Sequence, residues 1–280
     1  MTPDELRDEI ELLFTLSADQ LPDSAAETFT AFRNALTSGT VRAASPRTDG
    51  WRTNAWVKKG ILVGFRLGRS ERTANAGPLG FVDKDTLPTR CFDDDEGVRV
   101  VPGGSSIREG AYIGRDVICM PPMYVNIGAY VDDGTLIDSH ALVGSCAQIG
   151  KQVHISAGAQ IGGVLEPIGA LPVVVEDNVL IGGNSGIYEG TVVSREAVIA
   201  AGTVLTRSTR VYDVLNERVL RATVDEPLVI PPRAVVVPGS RPAAGAYAVK
   251  LGLQVSNPLI VKYRDDSTDA ATAIEQALRP

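Results

Sequence analysis

Asp138, Glu166 and Glu189 are the side chains in this sequence best suited to proton chemistry at a bound amine. A carboxylate can orient an ammonium group and, once desolvation raises its pKa, take the proton. Each also has a plainer use: Asp138 fits a turn aspartate, as Asp132 does, while Glu166 and Glu189 fit solvated acids. The chain has two histidines, His140 and His154. A three-histidine zinc centre needs one more, so no metal site is expected, and both imidazoles read as structural or interface groups. Cys146 stands beside a small-residue position and reads as packed rather than nucleophilic. Cys91, Cys119 and Cys146 show no C-x-x-C spacing, and at least one must stay unpaired, which points to a reducing, cytoplasmic setting.

These residues hang on a strict repeat. Counting in sixes from Val125 lands on Val131, Ile137, Val143, Ile149, Ile155 and Ile161; a second series runs Val175, Ile181, Ile187, Val193, Ile199, Leu205 and Val211. Two places earlier the residue is mostly small (Ala129, Thr135, Ala141, Ser185, Thr191), and the residue after is often turn-prone (Asp132, Gly144, Gly150, Gly182). Period six fits neither a helix of period 3.6 nor an alternating strand of period two. It predicts a left-handed parallel β-helix of hexapeptides, a triangular prism with three hexads to a coil. The aliphatic is expected inward at each corner, with Gly, Asn or Asp making the tight turn after it. Ile107, Ile113 and Cys119 keep the register ahead of Val125, with the prolines of "ICMPPMY" forcing a corner. Val175 stands fourteen positions after Ile161, two hexads plus two, so a loop around "GGVLEPIGALP" is expected to replace two hexads. Asp138 and Glu189 would then fall on different prism sides.

The flanks lack the period. "TPDELRDEIELLFTL", "SAAETFTAFRNALTSG" and "TNAWVKKGILVGFRLG" read as amphipathic helices, the first two capped by Thr2 and Ser24, and "GPLGFVDKDTLP" as loop or short strand. Beyond the prism, "AYAVKLGLQV" and "NPLIVKYR" alternate like strands, and "STDAATAIEQALR" reads as a helix. The expected fold is therefore mainly β: a helical N-terminal domain over 1–104, the β-helix over 105–237 with its loop near 162–174, and a small α/β cap over 238–280. A net charge of −7 argues against nucleic-acid or anionic-membrane partners. No long apolar run suggests a leader or a membrane span. Prisms of this kind commonly form trimers with sites between neighbouring columns, many of them acyl-CoA transferases.

The run "YVNIGAYVDDGTLIDSHALVGSCAQIGKQVHISAGAQIGGVLEP", followed by "VVVEDNVLIGGNSGIYEGTVV", closely resembles the tetrahydrodipicolinate N-succinyltransferase family of lysine and diaminopimelate synthesis. "EGVRVVPG" before it and "STRVYD" and "PPRAVVVPGS" after it extend the likeness over most of the chain. The resemblance implies a homotrimer that transfers succinyl from succinyl-CoA, its co-substrate, to the amino group of ring-opened 2-amino-6-oxopimelate, with no metal required. It implies Arg99 as the substrate-carboxylate arginine, suited to a bidentate hold, and Asp138 as the residue at the substrate amine. Glu166 occupies a family loop that reaches the site. Gly182, Gly183 and Ser185 resemble the strip along which CoA lies, with Ser208, Lys250 and the arginines near Arg210 as further CoA partners.

Two departures stand out. Where many members read Asp-Thr-Trp, this chain has Asp138-Ser139-His140; where many read Ala-Arg-Ser-Glu, it has Gly183-Asn184-Ser185-Gly186. A carboxylate assigned to catalysis in those members is thus absent, leaving Glu189 or Glu166 to substitute. Beside succinyl transfer stand a sister N-acyltransferase with another donor or amino-acid acceptor, and, more remotely, a non-enzymatic trimeric scaffold.

Overall fold

Each hexad folds into a two-residue strand and a turn, and every third hexad pairs in parallel with the one below. The result is a left-handed parallel β-helix with three stacked sides. The computed structural model describes residues 1–72 and 80–265. The first side carries Ile118–Cys119, Leu136–Ile137, His154–Ile155, Leu180–Ile181 and Val198–Ile199. The second carries Tyr124–Val125, Leu142–Val143, Gln160–Ile161, Gly186–Ile187 and Val204–Leu205, and the third Tyr130–Val131, Gln148–Ile149, Val174–Val175 and Val192–Val193. In register, Ile137 lies over Ile155 and Ile155 over Ile181, so like stacks on like about 4.8 Å apart. All fourteen repeat aliphatics are at most 1% exposed; burial of each contributes roughly 1.5–3 kcal/mol. The small residues also turn inward, and their hydroxyls find carbonyls: Thr135 Oγ1 donates to Gly150 O (2.9 Å) and Thr203 Oγ1 to Ala200 O (2.7 Å).

Two expectations need correction. The aliphatic lies mid-side rather than at the corner. The bend comes three residues later, at a residue in the left-handed region, such as Gly128 (φ 79°), His140 (62°), Cys146 (68°) or Asn184 (55°). The glycines directly after the aliphatics serve packing instead: a Cβ on Gly144 would stand 2.1 Å from Gly163 N, and one on Gly182 2.4 Å from Ala201 N. The loop also replaces no hexad. Gln160–Ile161 belongs to the second side and Val174–Val175 to the third, directly over Gln148–Ile149. Fourteen residues stand where six would do, so the loop adds eight and the register above it is untouched.

Three helices, α1 (Pro3–Thr15), α2 (Ala25–Thr37) and α3 (Ala55–Leu67), pack through Leu6, Ile10, Phe29, Phe32 and Ile61 onto Ile127 and Cys146, at the corner after the second side. Thr2 and Glu5 form a reciprocal capping box at the start of α1. A first hairpin, Ala44–Arg47 with Gly50–Thr53, links α2 to α3, and after α3 the strand Ser70–Arg72 pairs antiparallel with Val82–Lys84. The first rung strand, Arg99–Val100, precedes the expected start of the prism.

At the far end, "AYAVKL" is helix α4 (Ala246–Leu251) rather than strand, stopped by Gly252 in the left-handed conformation. Gln254–Ser256 and Leu259–Tyr263 are strands. Asp213 there is 1% exposed and accepts hydrogen bonds from Asn216 Nδ2 (2.8 Å), Arg218 Nε (3.0 Å) and the Tyr263 hydroxyl (2.7 Å). Burial works to raise its pKa, but these donors prevail and hold it at about 2. The helix expected in "STDAATAIEQALR" lies outside the described residues. No described helix is long and apolar enough to cross a membrane.

Candidate active site on the second side of the prism

The corner entering the second side is regular. Asp138 N donates to Ile155 O (2.9 Å), Ser156 N to Ile181 O (2.9 Å) and Gly182 N to Ile199 O (2.7 Å), which stacks Asp138, Ser156 and Gly182 in one column. Asp138 is half-buried, and its Oδ1 accepts from Ser139 N (2.7 Å). One residue further on, Ser139, Ala157 and Gly183 form a parallel strip of small residues on the outer surface. Ser185 does not join it. It holds a small inward position, is 1% exposed, and donates its hydroxyl to Ala200 O (3.0 Å). Arg99 is exposed on the first side, its strand paired beneath Ile118–Cys119 and so two strand spacings, about 10 Å, below Leu136. Arg99 and Asp138 thus share the outer surface of one side.

The corner leaving the second side is irregular, and a cleft of about 1170 Å³ opens there. Glu166 and Glu189 both line it, with Trp51 and Arg52 of the first hairpin, Tyr188, and Arg207. Glu189 has φ 51° and accepts at Oε2 from Arg207 N (3.0 Å). The Arg207 guanidinium is itself held by Thr223 O (2.6 Å) and Val224 O (2.7 Å). Ser208 is exposed next to it, its Oγ 3.0 Å from Thr206 Oγ1, and Thr206 lines the cleft. Lys250 is exposed on α4 and is not among the cleft-lining residues.

The walls are braced from the helical domain. Lys58 of α3 is fully buried and donates its Nζ to Ala170 O in the loop at 2.5 Å. Burial lowers its pKa, opposed by neighbouring Cys146. Burial pushes the Cys146 thiol up to about 12, which removes it as a nucleophile at neutral pH. Trp51 Nε1 donates to Glu176 Oε1 (3.0 Å), and the Arg42 guanidinium lies 3.6 Å over the Tyr130 ring, fixing the hairpin to the third side.

The structure brings Glu166 and Glu189 to one cleft and Asp138 and Gly182 to one column, with Gly183 in the strip beside it. Because no hexad is lost, Asp138 and Glu189 border the same side at opposite edges, not different sides as expected. They are offset by two rungs, roughly 10 Å along the axis, and a side of six residues at about 3.3 Å each separates them in width. One chain therefore cannot use them as a single acid–base pair. Sequence reasoning missed Lys58, Trp51 and Tyr188, and took Arg207 only as one of the arginines near Arg210. Only Lys58 left a signal, a lysine between Val57 and Ile61 on the buried stripe of α3.

Hexapeptide coils with a helical domain on one corner and a loop-walled cleft define a hexapeptide-repeat protein. Residues 5–67 match the family described as tetrahydrodipicolinate N-succinyltransferase N-terminal, and residues 172–207 the hexapeptide repeat of succinyl-transferase. The 2,3,4,5-tetrahydropyridine-2,6-dicarboxylate N-succinyltransferase of Azoarcus sp. (strain BH72) is 43% identical over 279 residues, covering 97% of this chain and 96% of that protein. The enzyme of the same name from Polynucleobacter asymbioticus is 42% identical over 270 residues, covering 94% and 93%. This chain belongs to the tetrahydrodipicolinate N-succinyltransferase family.

Proposed function

We propose that the protein transfers succinyl from succinyl-CoA to the amino group of ring-opened tetrahydrodipicolinate, 2-amino-6-oxopimelate, in lysine and diaminopimelate synthesis in the cytoplasm. The observation that carries this is the 43% identity over nearly the whole of both chains. Arg99 binds a substrate carboxylate through its fork of donors. Asp138 receives the substrate ammonium and orients it. Once one ammonium proton has passed to Asp138, the amine lone pair attacks the thioester carbon and forms the C–N bond. The carbonyl oxygen takes the charge, the C–S bond then breaks, and a second proton, lost from the nitrogen, ends on the CoA thiolate. The column of Asp138, Ser156 and Gly182 and the small-residue strip beside it offer a flat, narrow track for the pantetheine arm. Ser208, close to the cleft-lining Thr206, can meet a more distant part of the donor, and Lys250 its phosphates.

The working unit is a homotrimer. Asp138 and the Glu166–Glu189 pair lie on opposite edges of one side, so a neighbouring column must bring one edge to the other for both to act on one substrate. A second reading, another acyl donor or amino-acid acceptor, draws support from Ser139-His140 and from Gly186, where no carboxylate stands. The deciding experiment follows CoA release with tetrahydrodipicolinate, comparing succinyl-CoA with acetyl-CoA. Strong preference for succinyl-CoA is the expected result; release with acetyl-CoA alone favours the second reading, and no release with either sinks both.

A further inference from the structure

Tyr188 has no role in the account above, yet its ring occupies the middle of the second side. Gly162 and Gly186 form a bare patch there, and the ring lies across both: a Cβ on Gly162 would stand 2.6 Å from Tyr188 Cδ1, and one on Gly186 2.4 Å from Cε2 and 2.9 Å from the hydroxyl oxygen. Position 186 faces outward in its rung, and its neighbours in the stack, Gln160 below and Val204 above, carry side chains where it has none. Gly186 therefore leaves a recess the size of one side chain. Tyr188 folds back from the corner to fill its floor, phenol end at the centre. The hydroxyl is thereby carried out of the Glu166–Glu189 corner toward the edge that holds Asp138.

Chemistry gives that hydroxyl a use. The candidate acids Asp138, Glu166 and Glu189 are acceptors when ionised and cannot stabilise negative charge on a carbonyl oxygen. The Arg207 guanidinium is already committed to Thr223 O and Val224 O. Transfer through a tetrahedral intermediate needs a donor aimed at the developing oxyanion, and a neutral phenol provides one without forming an ion pair with the nearby carboxylates. We propose that the Tyr188 hydroxyl is that donor, contacting the thioester oxygen as it takes charge, with Gly162 and Gly186 kept bare so that the ring can lie flat beneath the acyl group.

This inference rests on the acyl-transfer reading, and Tyr188→Phe tests it because the variant keeps the ring and removes one oxygen. The expected result is a fall in kcat of about a hundredfold, with the KM for succinyl-CoA and the binding of CoA by calorimetry within about twofold of the parent. A companion variant, Gly186→Ala, forces the ring off its seat and should lose kcat similarly. If the parent enzyme turns over and Tyr188→Phe matches it, the inference is overturned while acyl transfer stands. The same holds if Gly186→Ala is slow but Tyr188→Phe is not, since the ring alone would then matter. A parent that releases no CoA from any acyl donor overturns the functional reading first and this inference with it.

Discussion

The two corners that border the second side are built from the same hexads but held by different forces. At the entering corner, Asp138, Ser156 and Gly182 follow directly from the repeat, each fixed by a backbone bond to the coil above. At the leaving corner the repeat only opens the position. The loop, the hairpin and three helices determine what stands there, through single contacts such as Lys58 to Ala170 O and Trp51 to Glu176. Backbone ladders make the first corner rigid and repetitive. Side-chain anchors make the second one shaped and breakable.

Variants at each corner should therefore fail differently. Asp138→Ala carries the largest expected effect, a loss of turnover of about a thousandfold or more with CoA binding and prism intact by calorimetry and circular dichroism; near-normal rates would remove it from the site. At the other corner, Glu189→Ala should slow turnover by about a hundredfold, and an unchanged rate would shift the acid's role to Glu166. Lys58→Met leaves Ala170 O without its buried donor, at roughly 1–3 kcal/mol. It should lower kcat/KM about tenfold and speed hydrogen exchange in residues 162–173 without touching the coils. Equal exchange in both proteins would show that the loop does not hang on this lysine.

Acid probes the column that carries both corners. Asp213 has its pKa depressed to about 2, so its stabilisation is complete above the unfolded carboxylate value near 4 and is lost as pH falls toward 2. The loss should reach about 2 kcal/mol, read from thermal unfolding, and Asp213→Asn should flatten that dependence. A slope unchanged by the substitution would assign the acid sensitivity elsewhere.

The same division explains what could be read from the residues alone. Period six carried the prism, its inward aliphatics and small residues, because each rung repeats a local rule. The placing of the bend failed because aliphatic and turn residue share one period, and the offset between them is set by backbone geometry that composition does not display. The loop was found but miscounted, since the residues between Ile161 and Val175 do not reveal which side the chain rejoins. "AYAVKL" alternates like a strand, yet it becomes a short helix ending at Gly252. Asp138, Glu166 and Glu189 could be singled out as acids, but their separation across one side depended on that miscounted register. Tyr188 and Trp51 carry no pattern, because contacts distant in sequence give them their place.

The eight added residues leave the coils on either side in phase. To the column, then, that stretch is an open socket: its length and chemistry can be exchanged without re-threading anything above or below. A family built on such a column can change what stands in the cleft by swapping one segment. In this chain, a plain hexad joining Ile161 to Val175 would leave a sound wall with nothing mounted on it.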